Sequence, residues 1–401
     1  MRIFPPLVQA AQLALNKIFI EGRPADRAVE GILKNNRKLG SRDRRFVAET
    51  VYECVRWSRR LQAIAMDADV HREGWSDELL IYGILEEWED FADLDEEDYE
   101  RVAEAAQEVV NAPRAVRESI PDDIDEIGAI ELGDAWDKEL EALNETAPVD
   151  LRLNRNRATL KELRSRLNDE GIETDPVDGY PDALTLRERK NVFITNAYKE
   201  GLFEVQDRSS QMVAPFMKLE GASRVIDACA GAGGKTLHIA SLMENRGRII
   251  SMDITDWKLK ELDLRARRGK FSTIETRLID TTKVIKRQEA SADRVLLDVP
   301  CTGLGVLRRN PGSKLRLNRA EVERLWGLQA EILGSYSRMV KPGGYLIYAT
   351  CSILPSENRG QVDKFLASPA GASFEFEEDW SQLPSRGNGD GFYVSRMKRK
   401  A

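Results

Sequence analysis

Val225-Ile226-Asp227-Ala228-Cys229-Ala230-Gly231-Ala232-Gly233-Gly234-Lys235-Thr236 runs from a short apolar stretch straight into a glycine-rich loop. The apolar stretch predicts a buried strand, and residues 235–245 beyond the loop predict a helix. Glycines at such a joint permit a tight turn and let a ligand approach the backbone at the helix N-terminus. The loop is not a Walker A sequence, because Cys229 stands where that motif needs its first glycine. A turn that merely packs helix on strand has the same composition. The loop therefore decides the local fold before it decides a ligand.

Working outward, residues 224–228, 248–253, 274–280, 294–298 and 345–349 are short apolar runs of the kind buried in parallel sheets. Helical stretches, notably 235–245 and 320–339, lie between several of them. Strand, loop and helix in alternation predict a doubly wound α/β sheet with its site at the strand C-termini. Asp253 ends the second run, about 20 residues past the loop, where an acid reaches a ribose hydroxyl. Asp280 closes the third run and Asp298 the fourth. Three acids behind one glycine loop favour an adenosine-containing ligand. A dinucleotide and S-adenosylmethionine both satisfy this pattern.

Toward the N-terminus the pattern changes. Residues 6–145 read as helical, with apolar positions at Leu7, Ala11, Ala14, Leu15, Ile18 and Phe19, and again at Phe46, Thr50, Val51, Cys54 and Val55. Ser41 is the expected N-cap of the second run. Between them and the α/β region, 151–154 predicts a strand and 159–168 a helix, with further strands around Leu184 and at 192–194. The expected domains are thus helical residues 1–146, a small α+β module at 147–220, and the α/β domain at 221–401.

The net charge of −8 is unevenly spread. Residues 73–145 hold 26 acids and four bases, whereas residues 1–72 and 146–401 are net positive. Two basic regions flank an acidic block, so overall acidity does not exclude a polyanionic partner, because fields act within roughly 10 Å at 0.1 M salt. Basic residues cluster at 34–45, at Arg56, Arg59 and Arg60, at 152–166 and at 308–319, and are candidate phosphate contacts. No apolar run approaches the roughly 18 residues of a membrane span, and the first residues lack a basic leader with a cleavage site. The four cysteines form no C-x-x-C pair, which removes the common zinc motifs and any disulfide framework. A cytoplasmic, metal-free monomer is expected.

Two of those cysteines stand in similar settings, in Asp298-Val299-Pro300-Cys301-Thr302-Gly303 and in Tyr348-Ala349-Thr350-Cys351-Ser352. Each follows a predicted buried strand, so each should reach the crevice above the sheet. Cys54 reads as a packing residue, and Cys229 as part of the loop's backbone shape. The chain has two histidines, and neither is placed for a cysteine–histidine hydrolase. A thiolate beside a methyl donor suggests addition to carbon 6 of a pyrimidine, which makes carbon 5 nucleophilic enough to take a methyl group. Asp298 is then placed to hold the ring's N3 or amino edge.

The strings from Asp227 to Thr236 and from Leu297 to Gly303, together with Arg308-Arg309-Asn310-Pro311, resemble the RsmB/Sun family of S-adenosylmethionine-dependent RNA cytosine-5 methyltransferases. So do Tyr348 to Ser352 with Pro355, Glu357 and Asn358, and Gly389 to Tyr393. Leu151 to Arg155 and Val205 to Asp207 are similar to the stretch leading into that family's catalytic domain. Lys38 to Phe46, with Tyr52 and Trp57, resembles the NusB-like RNA-binding domain of its bacterial members. The resemblance implies an all-α NusB-like domain, a small α+β module and a Rossmann-like class I methyltransferase domain. It implies Cys351 as nucleophile, Cys301 as the thiol that assists adduct release, and Asp298 and Lys235 as further catalytic residues. Cys229, Ala230, Gly231, Ala232, Gly233, Gly234, Lys235, Asp253, Asp280 and Asp298 would hold S-adenosylmethionine.

The implied substrate is RNA, of the 16S ribosomal type, with transfer RNA as an alternative and Cys301 as the alternative nucleophile. The family usually reads Ala-Pro-Gly-Gly-Lys where this chain has Gly231 to Lys235, so it lacks the proline at Ala232. That departure leaves a second reading, a catalytically weak RNA-binding assembly factor on a methyltransferase fold.

Overall fold

The computed structural model describes residues 4–36, 38–88, 94–387 and 389–401. Arg37 of the first basic cluster and residues 89–93 of the acidic block lie outside the described residues. The chain divides into two compact units: residues 1–145 with 307–321, and residues 146–306 with 322–401.

The first unit is helical. Its N-terminal helices, Pro5–Phe19, Ala25–Asn35, Ser41–Arg56, Ser58–Ala68 and Asp77–Leu85, point the periodic apolar residues at one another. Ala11, Ala14, Leu15, Val51, Cys54 and Leu79 are fully buried there. Ser41 is not the cap: it is the first helical residue, and the N–H of Gly40 before it donates to Asp43 at 3.1 Å. Cys54 packs as expected, with burial pushing its thiol pKa well up.

Segment 307–321 joins this unit through specific bonds. Arg56 donates to the carbonyl of Arg308 at 3.1 Å, and the Lys314 ammonium to the carbonyl of Arg56. Burial, with Arg56 nearby, pushes the Lys314 pKa down to about 7. Three expected phosphate contacts, Arg56, Arg308 and Lys314, are therefore buried structural residues. Arg59 is likewise engaged, donating to both carboxylate oxygens of Asp122 at 3.0 Å. The sequence could not distinguish them from solvated bases because their acceptors are far away in the chain.

The second unit holds two sheets. The smaller is built from β1 (Asp150–Leu153), β2 (Thr174–Val177), β3 (Tyr180–Leu186) and β4 (Phe203–Val205), antiparallel in the order β2-β3-β1-β4. The helix Leu160–Asp169 packs with it, its N-terminus closed by Thr159 and Glu162 in a reciprocal capping box. Residues 192–194 form a 3-10 turn rather than the expected strand, because Asn191 caps it from the N-terminal side. Arg152, within another expected phosphate cluster, is buried and donates to Gln206 and to the carbonyl of Gly234.

The larger sheet comprises β5 (Arg224–Asp227), β6 (Arg248–Asp253), β7 (Ile274–Leu278), β8 (Ala292–Asp298), β9 (Val340–Thr350), β10 (Phe374–Gln382) and β11 (Phe392–Arg399). The order is β10-β11-β9-β8-β5-β6-β7, a mixed sheet rather than a fully parallel one. Strands β5 to β9 are parallel to their neighbours, whereas β11 runs antiparallel to β9, and β10 to β11. Val225, Ile226, Val295, Leu296, Leu346 and Ile347 are fully buried, as strands covered on both faces require. Strand β7 stops at Leu278, so Asp280 lies exposed beyond the strand instead of closing it.

Candidate active site

Strand β5 delivers the glycine loop to the N-terminus of the helix Gly234–Leu242. Gly233 has φ +87°, and a Cβ there would stand 2.4 Å from Leu262 Cγ. Only glycine serves both demands. The loop is held from several sides: Ala230 N–H donates to the carbonyl of Met252, and Gly231 N–H to Asp253 Oδ2 at 2.9 Å. Arg265 grips the carbonyl of Ala232 at 2.7 Å while pairing with Glu204 at 2.9 Å. The departure from proline at Ala232 thus sits in a loop fixed by external donors.

Asp227, at the end of β5, accepts the Thr236 hydroxyl at 2.7 Å on Oδ2, and its Oδ1 is buried without a hydrogen-bond partner. Burial raises its pKa to about 7, against the opposing pull of Thr236 and Lys235. The sequence reading passed over this residue, although an acid immediately ahead of a glycine loop was visible. Cys229 is enclosed, and burial with the nearby Asp227, Asp298 and Asp253 holds its thiol pKa well above the usual range.

Lys235 meets the end of β8. Its ammonium lies 2.6 Å from Asp298 Oδ2 and 5.0 Å from the centroid of Phe392. Burial works to lower its pKa, but the charges of Asp298, Cys351 and Asp227 outweigh burial and leave it raised. Lys235 is therefore a cation at neutral pH, placed among acids and a thiol.

Cys301 follows β8 and Cys351 follows β9, and the two sulfurs are 3.4 Å apart. The register places Asp298 opposite Ala349 on the neighbouring strand, so both loops leave the same edge of the sheet. The hydrogen bond with Cys351, then burial, then the Cys351 and Glu357 charges push the Cys301 pKa well up. A close approach of backbones supports the pair. Gly305 N–H donates to the Cys351 carbonyl at 3.0 Å, and Gly391 N–H to the Gly305 carbonyl at 2.8 Å. A Cβ on Gly305 would stand 2.2 Å from Gly391 O, so that contact needs a bare backbone.

Of the residues expected from sequence, Asp253, Asp298, Lys235, Cys301 and Cys351 lie in this loop system, whereas Asp280 stands exposed past the end of β7. His238 is buried in the helix Gly234–Leu242, with Nε2 3.4 Å from Asp182. Burial lowers its pKa to about 4, so it is a neutral packing residue. Among the described residues no group of three or more metal-ligating side chains is assembled.

The seven-stranded sheet with this loop has the fold of Rossmann-like methyltransferases, a class whose cofactor is S-adenosylmethionine. The residues present fit that group. A Cβ at Gly231 or Gly234 would meet nothing within 4 Å, so the loop backbone is open to a ligand, with Asp253 and Asp298 at the ends of nearby strands.

A family model described as 16S rRNA methyltransferase RsmB/F matches residues 214–398, and the ferredoxin-like domain of the RsmF/B-like methyltransferases matches residues 130–193. The chain is 31% identical over 322 residues to a probable ribosomal RNA small subunit methyltransferase B of Synechocystis, covering 75% of this chain and 72% of that protein. The corresponding protein of Pasteurella multocida is 32% identical over 277 residues, which span 66% of this chain and 62% of the relative. That of Salmonella paratyphi B is 35% identical over 274 residues, spanning 66% and 63%. The chain belongs to the RsmB/F methyltransferase family.

The crystal structure of PH0851 has the same fold over 99% of both chains, with a TM-score of 0.79 at 22% identity. That of NSun6 from Pyrococcus horikoshii covers 71% of this chain and 99% of its own, with a TM-score of 0.65 at 18% identity.

Proposed function

We propose that this protein transfers a methyl group to carbon 5 of a cytosine in RNA, with 16S ribosomal RNA as substrate. The observation that carries the reading is the pair of sulfurs 3.4 Å apart at the ends of adjacent strands, beside the Lys235–Asp298 ion pair. When bound, S-adenosylmethionine supplies an electrophilic methyl group.

Cys351 is the nucleophile. As thiolate it adds to carbon 6 of the cytosine, forming a carbon–sulfur bond and leaving electron density on carbon 5. Lys235 stabilises that thiolate, since its raised pKa already reflects the charge of Cys351. Asp298 takes the N3 or amino edge of the ring and offsets the charge that builds there. After methylation, carbon 5 carries both a methyl group and a hydrogen. Cys301, acting as thiolate 3.4 Å from the Cys351 sulfur, takes that hydrogen as a proton, its electron pair returns to the ring, and the Cys351 thiolate is expelled. The target base must leave its stack to reach both thiols. The helical unit acts in this reading as a NusB-like RNA-binding domain.

Cys301→Ala should trap a covalent protein–RNA adduct, visible as a band that survives denaturing electrophoresis. Cys351→Ala should abolish methylation without an adduct. An adduct trapped by Cys351→Ala instead would reverse the two roles. Bisulfite sequencing of ribosomal RNA from cells lacking the protein should reveal one cytosine that has lost its methyl group. An unchanged pattern there would remove ribosomal RNA as the substrate.

A further inference from the structure

Glu357 follows Cys351 by six residues, has no solvent exposure, and touches neither sulfur through a hydrogen bond. Its carboxyl lies between the two thiol loops. Thr302, next to Cys301, donates its N–H to Oε1 at 2.9 Å and its hydroxyl to Oε2 at 2.5 Å. The hydroxyl of Ser352, next to Cys351, lies 3.2 Å from the Thr302 hydroxyl and so meets the carboxyl's shell through it. Gln329 completes the shell, its amide donating to Oε1 at 2.9 Å and to the carbonyl of Pro300 at 3.0 Å.

Each hydroxyl then accepts a backbone N–H two residues on. Leu304 donates to Thr302 Oγ1 at 3.4 Å, and Leu354 to Ser352 Oγ at 3.1 Å. The Cys301 loop is thus hung from the carboxyl directly, and the Cys351 loop is linked to it through the contact between the Ser352 and Thr302 hydroxyls. A buried carboxyl is costly to desolvate and persists only where donors surround it. Here the donors are Thr302, in the loop that carries Cys301, and Gln329.

The geometry points to Glu357 as the positioning residue that sets the separation and aim of the Cys301 and Cys351 sulfurs. This rests on the two-thiol reading above and adds to it the part that fixes the thiols in mutual reach. The charges of the pair act on Tyr348 and Lys235, and that of Glu357 acts on Cys301. Tyr348 donates its hydroxyl to the Glu357 carbonyl at 2.6 Å, which ties the same residue to β9. A displacement of about 1 Å in such an arrangement lowers the rate on the order of 100-fold.

Phenylarsine oxide tests the spacing without RNA or cofactor. Its arsenic(III) bonds both sulfurs and its oxygen leaves as water with the two thiol protons, so tight binding requires two thiols within joint reach. The wild type should bind it through Cys301 and Cys351, lost in either Cys→Ala variant. Glu357→Gln keeps an oxygen for the Thr302 N–H and Gln329 but replaces the acceptor of the Thr302 hydroxyl with a donor. It should weaken arsenical binding at least about tenfold and lower kcat on RNA roughly 10- to 100-fold, with KM for RNA within about threefold.

Thr302→Val together with Ser352→Ala should reproduce the defect with Glu357 in place, and carries the test should Glu357→Gln not fold. Arsenical affinity and kcat within twofold of wild type in the variants would overturn the assignment. Loss of the two-thiol reading itself would appear differently, as methylation surviving in Cys351→Ala while the arsenical results stand.

Discussion

Cys301 and Cys351 occupy matching places on neighbouring parallel strands, yet different charges face them. Beside Cys301 lie the buried Glu357 and Cys351 itself, which with burial hold its proton on. Cys351 shares the field of Lys235, whose cation is held by Asp298 at 2.6 Å. Equivalent backbone positions therefore do not make equivalent thiols. In this site, identity of role comes from which charged side chain the fold brings alongside, and one sulfur has a carboxyl for a neighbour while the other has an ammonium.

Removing the cation should have the largest effect on that contrast. Lys235→Met keeps the length of the side chain and deletes its charge, and single-turnover methylation should fall about 10²- to 10³-fold. Alkylation of Cys351 by iodoacetamide, followed by mass spectrometry, should slow in the same variant while that of Cys301 does not. Equal slowing of both thiols would break the comparison.

A second effect, of moderate size, comes from Asp227 one strand away. Its carboxyl has an ordinary pKa of 3.8 and a folded pKa of about 7, so the folded state holds an extra proton between these values. Stability from this group is complete below about pH 4 and is lost as pH rises through 7, a total of about 4 kcal/mol. Asp227→Asn should raise the thermal midpoint relative to wild type at pH 8 and leave it unchanged at pH 4. The same midpoint shift at both pH values would remove the charge explanation.

The smallest effect is expected at Ala232. Arg265 already holds its carbonyl at 2.7 Å, so Ala232→Pro should stabilise by about 0.4–1 kcal/mol at most and alter the Kd for S-adenosylmethionine less than about threefold by calorimetry. A tenfold tightening would show that the wild-type loop is not held by its external donors.

The glycine loop and the acids Asp253 and Asp298 were legible because their signals are local: an apolar run, a glycine cluster and a fixed spacing. The two thiols were legible for the same reason, each following a buried strand. Strands β10 and β11 were not anticipated. Phe374–Gln382 is rich in acids, and its extended form depends on pairing with β11 at the sheet edge, a partner no local pattern announces. Glu357 and Asn358 were visible as part of a motif, but the clamp on Thr302 is a contact across 55 residues. Arg56, Arg152, Arg308 and Lys314 misled for the opposite reason. Charge suggested surface, whereas buried carbonyls and side chains elsewhere in the chain satisfy them.

The segment 307–321 bears on the order in which the protein can be made. The helical unit includes the N-terminal helices, but residues that complete it, including the buried Pro311, Lys314 and Leu317, are translated after strands β5 to β8 of the larger sheet. Residues 146–306 separate the two parts, which at roughly 5–20 residues per second is a delay of about 8–32 s. During that interval the carbonyl of Arg56 waits for the ammonium of Lys314, and the N-terminal unit emerges first yet closes late. Ribosome-bound nascent chains ending before residue 307 would therefore carry an unfinished helical unit, lacking the residues that close it.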